Sequence, residues 1–268
     1  MMPTRRVPLF LLACGSFNPI TNQHMRLFEL ARDHMNSTGQ YQVVGGIVSP
    51  VSDGYGKQGL VLAKHRIAMA KLALQSSNWV TVDEWESQQP DWTETVVTMR
   101  YHYGRILKEF EQSTGMHNSS SRNTTPLSTS GPSLQLKLLC GADFLNTFKF
   151  PGLWRDDHVE EVVGRFGLVC VSRGGLQPEQ TVHELDTLFG HRQNIFLVRE
   201  WVRNETSATE VRRALRRGVS VKYLIPDSVI EYIYKHNLYT KDSEKINEGR
   251  VLRPLKKQVQ QPVKSLDD

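Results

Sequence analysis

Two short stretches hold residue types whose spacing suits the binding of an anion. The first runs Gly15-Ser16-Phe17-Asn18-Pro19 and on through Thr21 to His24. It leaves an apolar run, Leu9–Cys14, and enters a segment carrying Met25, Leu27, Phe28, Ala31 and Met35 at helical spacing. A loop between a strand and a helix offers a phosphate its backbone N–H groups and the positive end of the helix dipole. Gly15 lets that backbone come close, and His24, near the helix start, brings its ring to the same anion. The second stretch is Thr206-Ser207-Ala208-Thr209-Glu210-Val211-Arg212-Arg213. Ser207 and Glu210 have the spacing of a capping box, so a second helix N-terminus begins here. Thr209 and Arg212, three residues apart, share one face of it. A cation in a first turn opposes the helix dipole, so Arg212 requires something negative beside it. Arg216 and Arg217 precede Gly218 in the last turn, where the dipole favours cations, and read as a solvated face.

The elements that must position these loops alternate. Strands are expected at Leu9–Cys14, Tyr41–Ile47, Trp79–Val82, Leu134–Cys140, Gly167–Val171 and Ile195–Val198. Helices are expected through Met25–Met35 with Gly39 just past the end, over Leu60–Gln75, near Asp143, from Ser207 and after Pro226. Asp91 and Glu94 read as a capping box ahead of Val96, Met99, Tyr103, Ile106 and Phe110, which step along one helical face. Alternating strands and helices imply an α/β doubly wound parallel sheet, with ligands at the carboxyl ends of its strands. Residues 113–133 are mostly Ser, Thr, Asn, Gly and Pro and read as a flexible, disordered insertion. The expectation is a single domain over residues 7–240, because neither half has strands enough for its own sheet, and a loose tail over 241–268.

Composition excludes several classes. Of 268 residues 39% are hydrophobic, enough for a core, and the net charge of +5 gathers into no basic stripe, so no nucleic-acid partner is expected. No apolar run nears the roughly 18 residues that cross a bilayer, so no membrane is expected either. The first residues lack an apolar signal core and the chain is expected not to be secreted; Arg5 and Arg6 are too few for a transit peptide. Cys14, Cys140 and Cys170 lie in apolar runs and read as buried free thiols. Neither the cysteines nor the carboxylates cluster as metal ligands.

The two anion loops, one early and one late, resemble the nucleotidyltransferase superfamily, with its H/T-x-G-H and I-S-S-T-x-x-R signatures. Gln23 stands where the superfamily usually has Gly, and Thr206 and Ala208 replace Ile and Ser, but His24, Thr209 and Arg212 remain. Six further blocks are similar to animal nicotinamide mononucleotide adenylyltransferases: Ala13–Asn22, Ser49-Pro50-Val51, Tyr55-Gly56-Lys57, Asp91–Thr95, Leu139–Asp143 and Leu153-Trp154. The similarity runs from about Leu9 to Tyr239 and leaves out the insertion and the tail.

That resemblance implies a Rossmann-like nucleotidyltransferase fold and the transfer of AMP from ATP to nicotinamide mononucleotide (NMN) or nicotinate mononucleotide (NaMN). The products would be NAD or deamido-NAD and pyrophosphate. Catalysis would fall to His24 and Arg212. ATP would meet Gly15, Ser16, Phe17, His24, Gly141, Asp143, Asn194, Ser207, Thr209 and Arg212. The mononucleotide would meet Ser16, Phe17, Lys57, Trp92, Thr95, Leu153 and Trp154. Taken by themselves, Trp92 and Trp154 read rather as core aromatics and Lys57 as a solvated loop residue, while Asp143 reads equally as a helix cap. Magnesium would be held mainly through ATP phosphates. Family members are often homo-oligomers. The short insertion and Val221–Asp227 look most like the mitochondrial type, with cytoplasmic residence open and a nuclear location as the alternative. The rivals are a transferase acting on phosphopantetheine or a phosphoalcohol, and a binding or chaperone-like protein.

Overall fold

The structure is a computed structural model that describes residues 6–114, 134–172, 175–202 and 204–254. Six strands form one sheet: β1 (Val7–Gly15), β2 (Tyr41–Pro50), β3 (Val80–Val82), β4 (Gln135–Gly141), β5 (Leu168–Ser172) and β6 (Ile195–Arg199). Their order is β3-β2-β1-β4-β5-β6 and every pairing is parallel. The nine α-helices among the described residues are α1 (Asn22–Ser37), α2 (Ala63–Ala73), α3 (Thr95–Thr114), α4 (Ala142–Asn146), α5 (Asp156–Glu160), α6 (Pro178–Glu184), α7 (Asp186–Gly190), α8 (Ala208–Arg216) and α9 (Asp227–Lys235). This is the doubly wound, Rossmann-like arrangement expected from the alternation. The 113–133 insertion lies, from residue 115 on, outside the described residues.

The strands read as near-continuous apolar runs because both faces of a parallel sheet are covered. Leu9, Leu11, Ala13, Val169 and Val171 face one core with Phe28, Ala31 and Met35 of α1 and Val211 of α8. Leu12, Leu138, Cys140, Leu168 and Cys170 face the other with Val96 and Met99 of α3 and Leu145 of α4. The strand order reverses between β1 and β4, so the loops after them diverge to opposite faces and leave a crevice at their carboxyl ends.

Two boundaries differ from expectation for local reasons. Helix α2 begins at Ala63 rather than Leu60, because the Val61 N–H is taken by Asn18 Oδ1 at 3.3 Å and the Val61 carbonyl by Arg66 Nε at 2.8 Å. No capping box forms at Asp91: its carboxylate accepts from the Trp92 N–H at 2.7 Å and from Arg253, and α3 starts only at Thr95. Trp92 therefore precedes the helix.

The largest correction concerns the tail. Residues 241–254 are not loose but cross the Lys57 loop. The Gly59 N–H donates to the Ile246 carbonyl at 2.8 Å, and Asn247 Nδ2 donates to the Lys57 carbonyl at 3.2 Å. Glu244 pairs with Arg216 at 2.6 Å, and Arg253 grips Asp91 through both carboxylate oxygens. Sequence composition in this segment is polar and hides the docking, which is made by backbone groups and scattered polar side chains. The Arg253–Asp91 pair is half-exposed and adds little, but losing the Gly59 and Lys57 bonds and the Glu244 contact costs roughly 2 kcal/mol. A chain ending at Thr240 is expected to melt about 4–8 °C lower; an unchanged Tm would show that the segment only lies on the surface.

Candidate active site

A cleft of ≈ 550 Å³ occupies the crevice at the carboxyl ends of β1 and β4. Its floor is the loop Gly15–Pro19, whose path is unusual: Phe17, a non-glycine residue, sits at φ 44°. A backbone in that left-handed region persists only where its surroundings over-determine it. Here two buried guanidinium groups do so. Arg66 of α2, fully buried, donates to the Ser16 carbonyl at 3.0 Å, the Val51 carbonyl at 2.7 Å and Asp53 at 3.0 Å. Arg212 of α8 donates to the Asn18 carbonyl at 2.8 Å. The Asn18 side chain completes the clamp, with Nδ2 on the Gly59 carbonyl at 2.8 Å and Oδ1 accepting from Tyr239 at 3.0 Å.

Above this floor, α1 and α8 bring their N-termini to the cleft. Thr21 caps α1, and His24 returns the bond: its Nδ1 accepts from the Thr21 N–H at 3.0 Å. Because that donor is unambiguous, the neutral ring carries its proton on Nε2, which makes His24 a donor in the cleft. The Phe17 ring meets the His24 ring edge-on, with centroids 5.3 Å apart. Ser207 caps α8, accepting from the Glu210 N–H at 3.2 Å, and Thr209 Oγ1 accepts from Arg212 at 3.4 Å. Arg212 is buried and forms no ion pair among the described residues, and its Nε is without a partner. Burial pushes its guanidinium down from the ordinary range. Lys57, solvent-accessible but crowded by protein atoms, is also held below the usual lysine range, by burial first and then by the like charge of Arg212. Two cations that disfavour each other, beside two helix N-termini, make a seat for a polyanion.

At the end of β4, Gly141 caps α4, and Asp143 lies in its first turn. A Cβ at Gly141 would come 2.5 Å from Asp143 Oδ1, so glycine is what allows the carboxylate to fold over the strand end. Ser16, Leu153 and Thr95 also line the cleft. So do both tryptophans. Neither is a core residue: each is half-buried. Trp92 lies tilted beside Tyr55, and Trp154 leans on Phe144 and Phe148 while its indole N–H donates to Thr147 Oγ1 at 3.0 Å.

Asn194 is the exception and corrects the sequence reading. It precedes β6, at the amino end of the sheet, where Nδ2 donates to the Val163 carbonyl at 2.9 Å and Oδ1 accepts from Lys137. It lies outside the cleft, since in a parallel sheet the two ends of one strand are a strand length apart. The asparagine at the carboxyl end of β6 is Asn204, whose Oδ1 accepts from the Thr206 N–H at 2.9 Å. Sequence reasoning also missed Arg66, Asn18 as a clamp, Tyr239 and Glu86. Only Asn18, inside the first loop, carried any signal.

The cytidylyltransferase-like family model matches residues 12–214, which span both helix N-termini of the cleft. The chain is 47% identical over 277 aligned positions to bovine nicotinamide/nicotinic acid mononucleotide adenylyltransferase 1, covering 96% of this chain and 98% of that one. The chain belongs to the nicotinamide/nicotinic acid mononucleotide adenylyltransferase family. A Drosophila melanogaster member, nicotinamide-nucleotide adenylyltransferase, is 42% identical over 89% of this chain and 63% of its own length. Among solved structures, Plasmodium falciparum nicotinic acid mononucleotide adenylyltransferase complexed with APC aligns with a TM-score of 0.56 over 86% of this chain and 96% of that one. At 18% identity that likeness concerns the fold.

One carboxylate of this adenylyltransferase cleft is unusual. Glu86, in the turn after β3, is buried and accepts from Ser49 Oγ at 2.5 Å. Burial raises its carboxyl to about 7 against the opposing pull of Ser49, Arg66 and Cys14. The folded protein thus holds this proton more tightly than the unfolded chain, so the stabilisation is complete below about pH 4.5 and is lost as pH rises to about 7. Relative to Glu86→Gln, the wild type is expected to lose roughly 3 kcal/mol of unfolding free energy across that window. Parallel stability curves for the two proteins in denaturant titrations at pH 5 and 8 would refute it.

Proposed function

We propose that this protein transfers the adenylyl group of ATP to the phosphate of NMN or NaMN. The observation that carries the reading is the joining, in one cleft, of a polyanion seat between α1 and α8 to a half-buried pair of tryptophans. A flat pyridine ring suits flat partners, which phosphopantetheine or a phosphoalcohol does not require. A phosphate oxygen of the mononucleotide attacks the α-phosphorus of ATP; the new O–P bond forms as the bond to the β-phosphate oxygen breaks and pyrophosphate leaves. That nucleophile is already an anion, so no general base is needed. The protein's task is alignment and charge neutralisation.

Thr209, Arg212 and the Nε2–H of His24 hold the ATP phosphates, and Lys57 takes the mononucleotide's phosphate. Gly15, Ser16 and Phe17 border the reacting phosphates, Gly141 and Asp143 the ATP ribose. Trp92, Thr95, Leu153 and Trp154 flank the pyridine. Among the described residues no three or more His, Cys, Asp or Glu side chains gather to hold a metal. A magnesium ion taking its ligands from substrate phosphates and water would supply further neutralisation there. The reading extends to a homo-oligomer and to mitochondrial or cytoplasmic residence, both resting on the family resemblance alone.

Incubation with ATP, magnesium and either mononucleotide should yield NAD or deamido-NAD with equimolar pyrophosphate; no turnover with either would refute the reading. His24→Ala is expected to lower kcat about 10²–10³-fold, the value of one donor aimed at transition-state charge. It should also cost roughly 1 kcal/mol of stability through the lost cap on Thr21. Trp92→Ala should raise KM about tenfold for both mononucleotides and leave KM for ATP nearly unchanged, since stacking and cation–π attraction to the pyridinium are worth about 0.5–2 kcal/mol. Turnover of His24→Ala within about threefold of wild type, or a Trp92→Ala defect mainly in ATP use, would reassign these residues to structural roles.

A further inference from the structure

Gln23 is the second residue of α1, between the cap and His24, and it lines the cleft. It is 3% exposed, and both its Nε2 and its Oε1 are without a hydrogen-bond partner among the described residues. A buried carboxamide left in that state is costly, and native folds rarely keep one without use for it. Among cleft-lining residues only one other, Arg212, has a buried side-chain atom in the same condition. Arg212 belongs to the polyanion seat, and the two differ in kind: a guanidinium suits a charged partner, a carboxamide a neutral donor–acceptor pair.

The position of Gln23 identifies what supplies that pair. Leu27, one turn further along α1, packs against the same core as Val211 of α8, and both Leu27 and Ala208 line the cleft. Phe144 and Trp154, half-buried, lean against the core on the other face of the sheet. Gln23 thus belongs to the α1–α8 wall, which carries His24, Thr209 and Arg212, and not to the tryptophan wall. The base attached to the triphosphate held by those residues is the base of ATP. A glutamine amide offers one acceptor and one donor edge in a plane, the complement of the adenine amino group and the ring nitrogen beside it. We propose that Gln23 reads the adenine of ATP through its carboxamide, accepting from the 6-amino group and donating to N7. Leu27 and Ala208 supply apolar surface beside it. The inference rests on the adenylyl-transfer reading and adds to it the residue that selects the base.

Gln23→Met keeps the length of the side chain and removes the amide; Gln23→Leu is a second apolar variant in case the first packs poorly. Inosine triphosphate is the probe, because it keeps the purine shape and replaces the 6-amino donor with an acceptor. Each protein is assayed for kcat/KM with ATP and with inosine triphosphate at saturating NMN, and for Tm with and without ATP. The expected result is a wild-type preference for ATP that falls by about tenfold to a hundredfold in the variants, the value of two neutral hydrogen bonds. KM for NMN should be unchanged. Without nucleotide, the variants should melt no lower than wild type, because they remove an unsatisfied buried group, while the ATP-induced rise in Tm shrinks. An ATP-to-inosine-triphosphate ratio within twofold of wild type in both variants would overturn the inference and leave the adenylyl-transfer reading intact. A wild type whose Tm does not respond to ATP would overturn both.

Discussion

The site depends on holding one short piece of backbone, Ser16 to Asn18, in a shape it would not choose for itself. Phe17 lies in the left-handed region without the freedom of glycine. The cost is met by contacts from distant parts of the chain: Arg66 on the Ser16 carbonyl, Arg212 on the Asn18 carbonyl, and Tyr239 with Gly59 and Val61 on the Asn18 side chain. These partners lie on α2 and the loop before it, on α8 and on the segment after α9, so the loop can be correct only when all of them are in place. Preorganisation of the phosphate floor and global folding are therefore the same event.

The second constraint is electrostatic. Arg66 is buried yet surrounded by carbonyl oxygens and Asp53, which is how a guanidinium is kept in an interior. Arg212 has fewer partners and Lys57 faces it as a like charge. A substrate carrying several phosphate charges relieves that mutual repulsion. Glu86 keeps to the same logic: it is deep in the cleft wall, and its raised protonation keeps a negative charge from opposing the substrate below neutral pH.

The sheet, its parallel character and the position of the cleft were legible in the chain, because apolar strands and amphipathic helices announce themselves within a window of ten residues. The two anion loops were legible for the same reason: Gly15 to His24 and Ser207 to Arg212 are each continuous, and a helix N-terminus carries its chemistry locally. Asn194 was misplaced because an asparagine near a strand gives no sign of which end of that strand it guards. Residues 241–254 were misread because their attachment uses backbone groups and scattered charges that leave no period. Gln23 stood in the sequence only as a departure from a motif; that its amide is buried and unsatisfied is a fact of packing.

What the sequence determined by itself, then, was the α/β architecture and the pair of phosphate-binding turns, since periodicity and capping are interactions between near neighbours. The tertiary structure decided which residues share a cleft and in what electrical state: Arg66 under Ser16, Glu86 beside Cys14, Arg212 against Asn18, 194 positions away in the chain. Those depend on desolvation and on contacts between remote segments, and neither quantity exists until the chain has closed on itself.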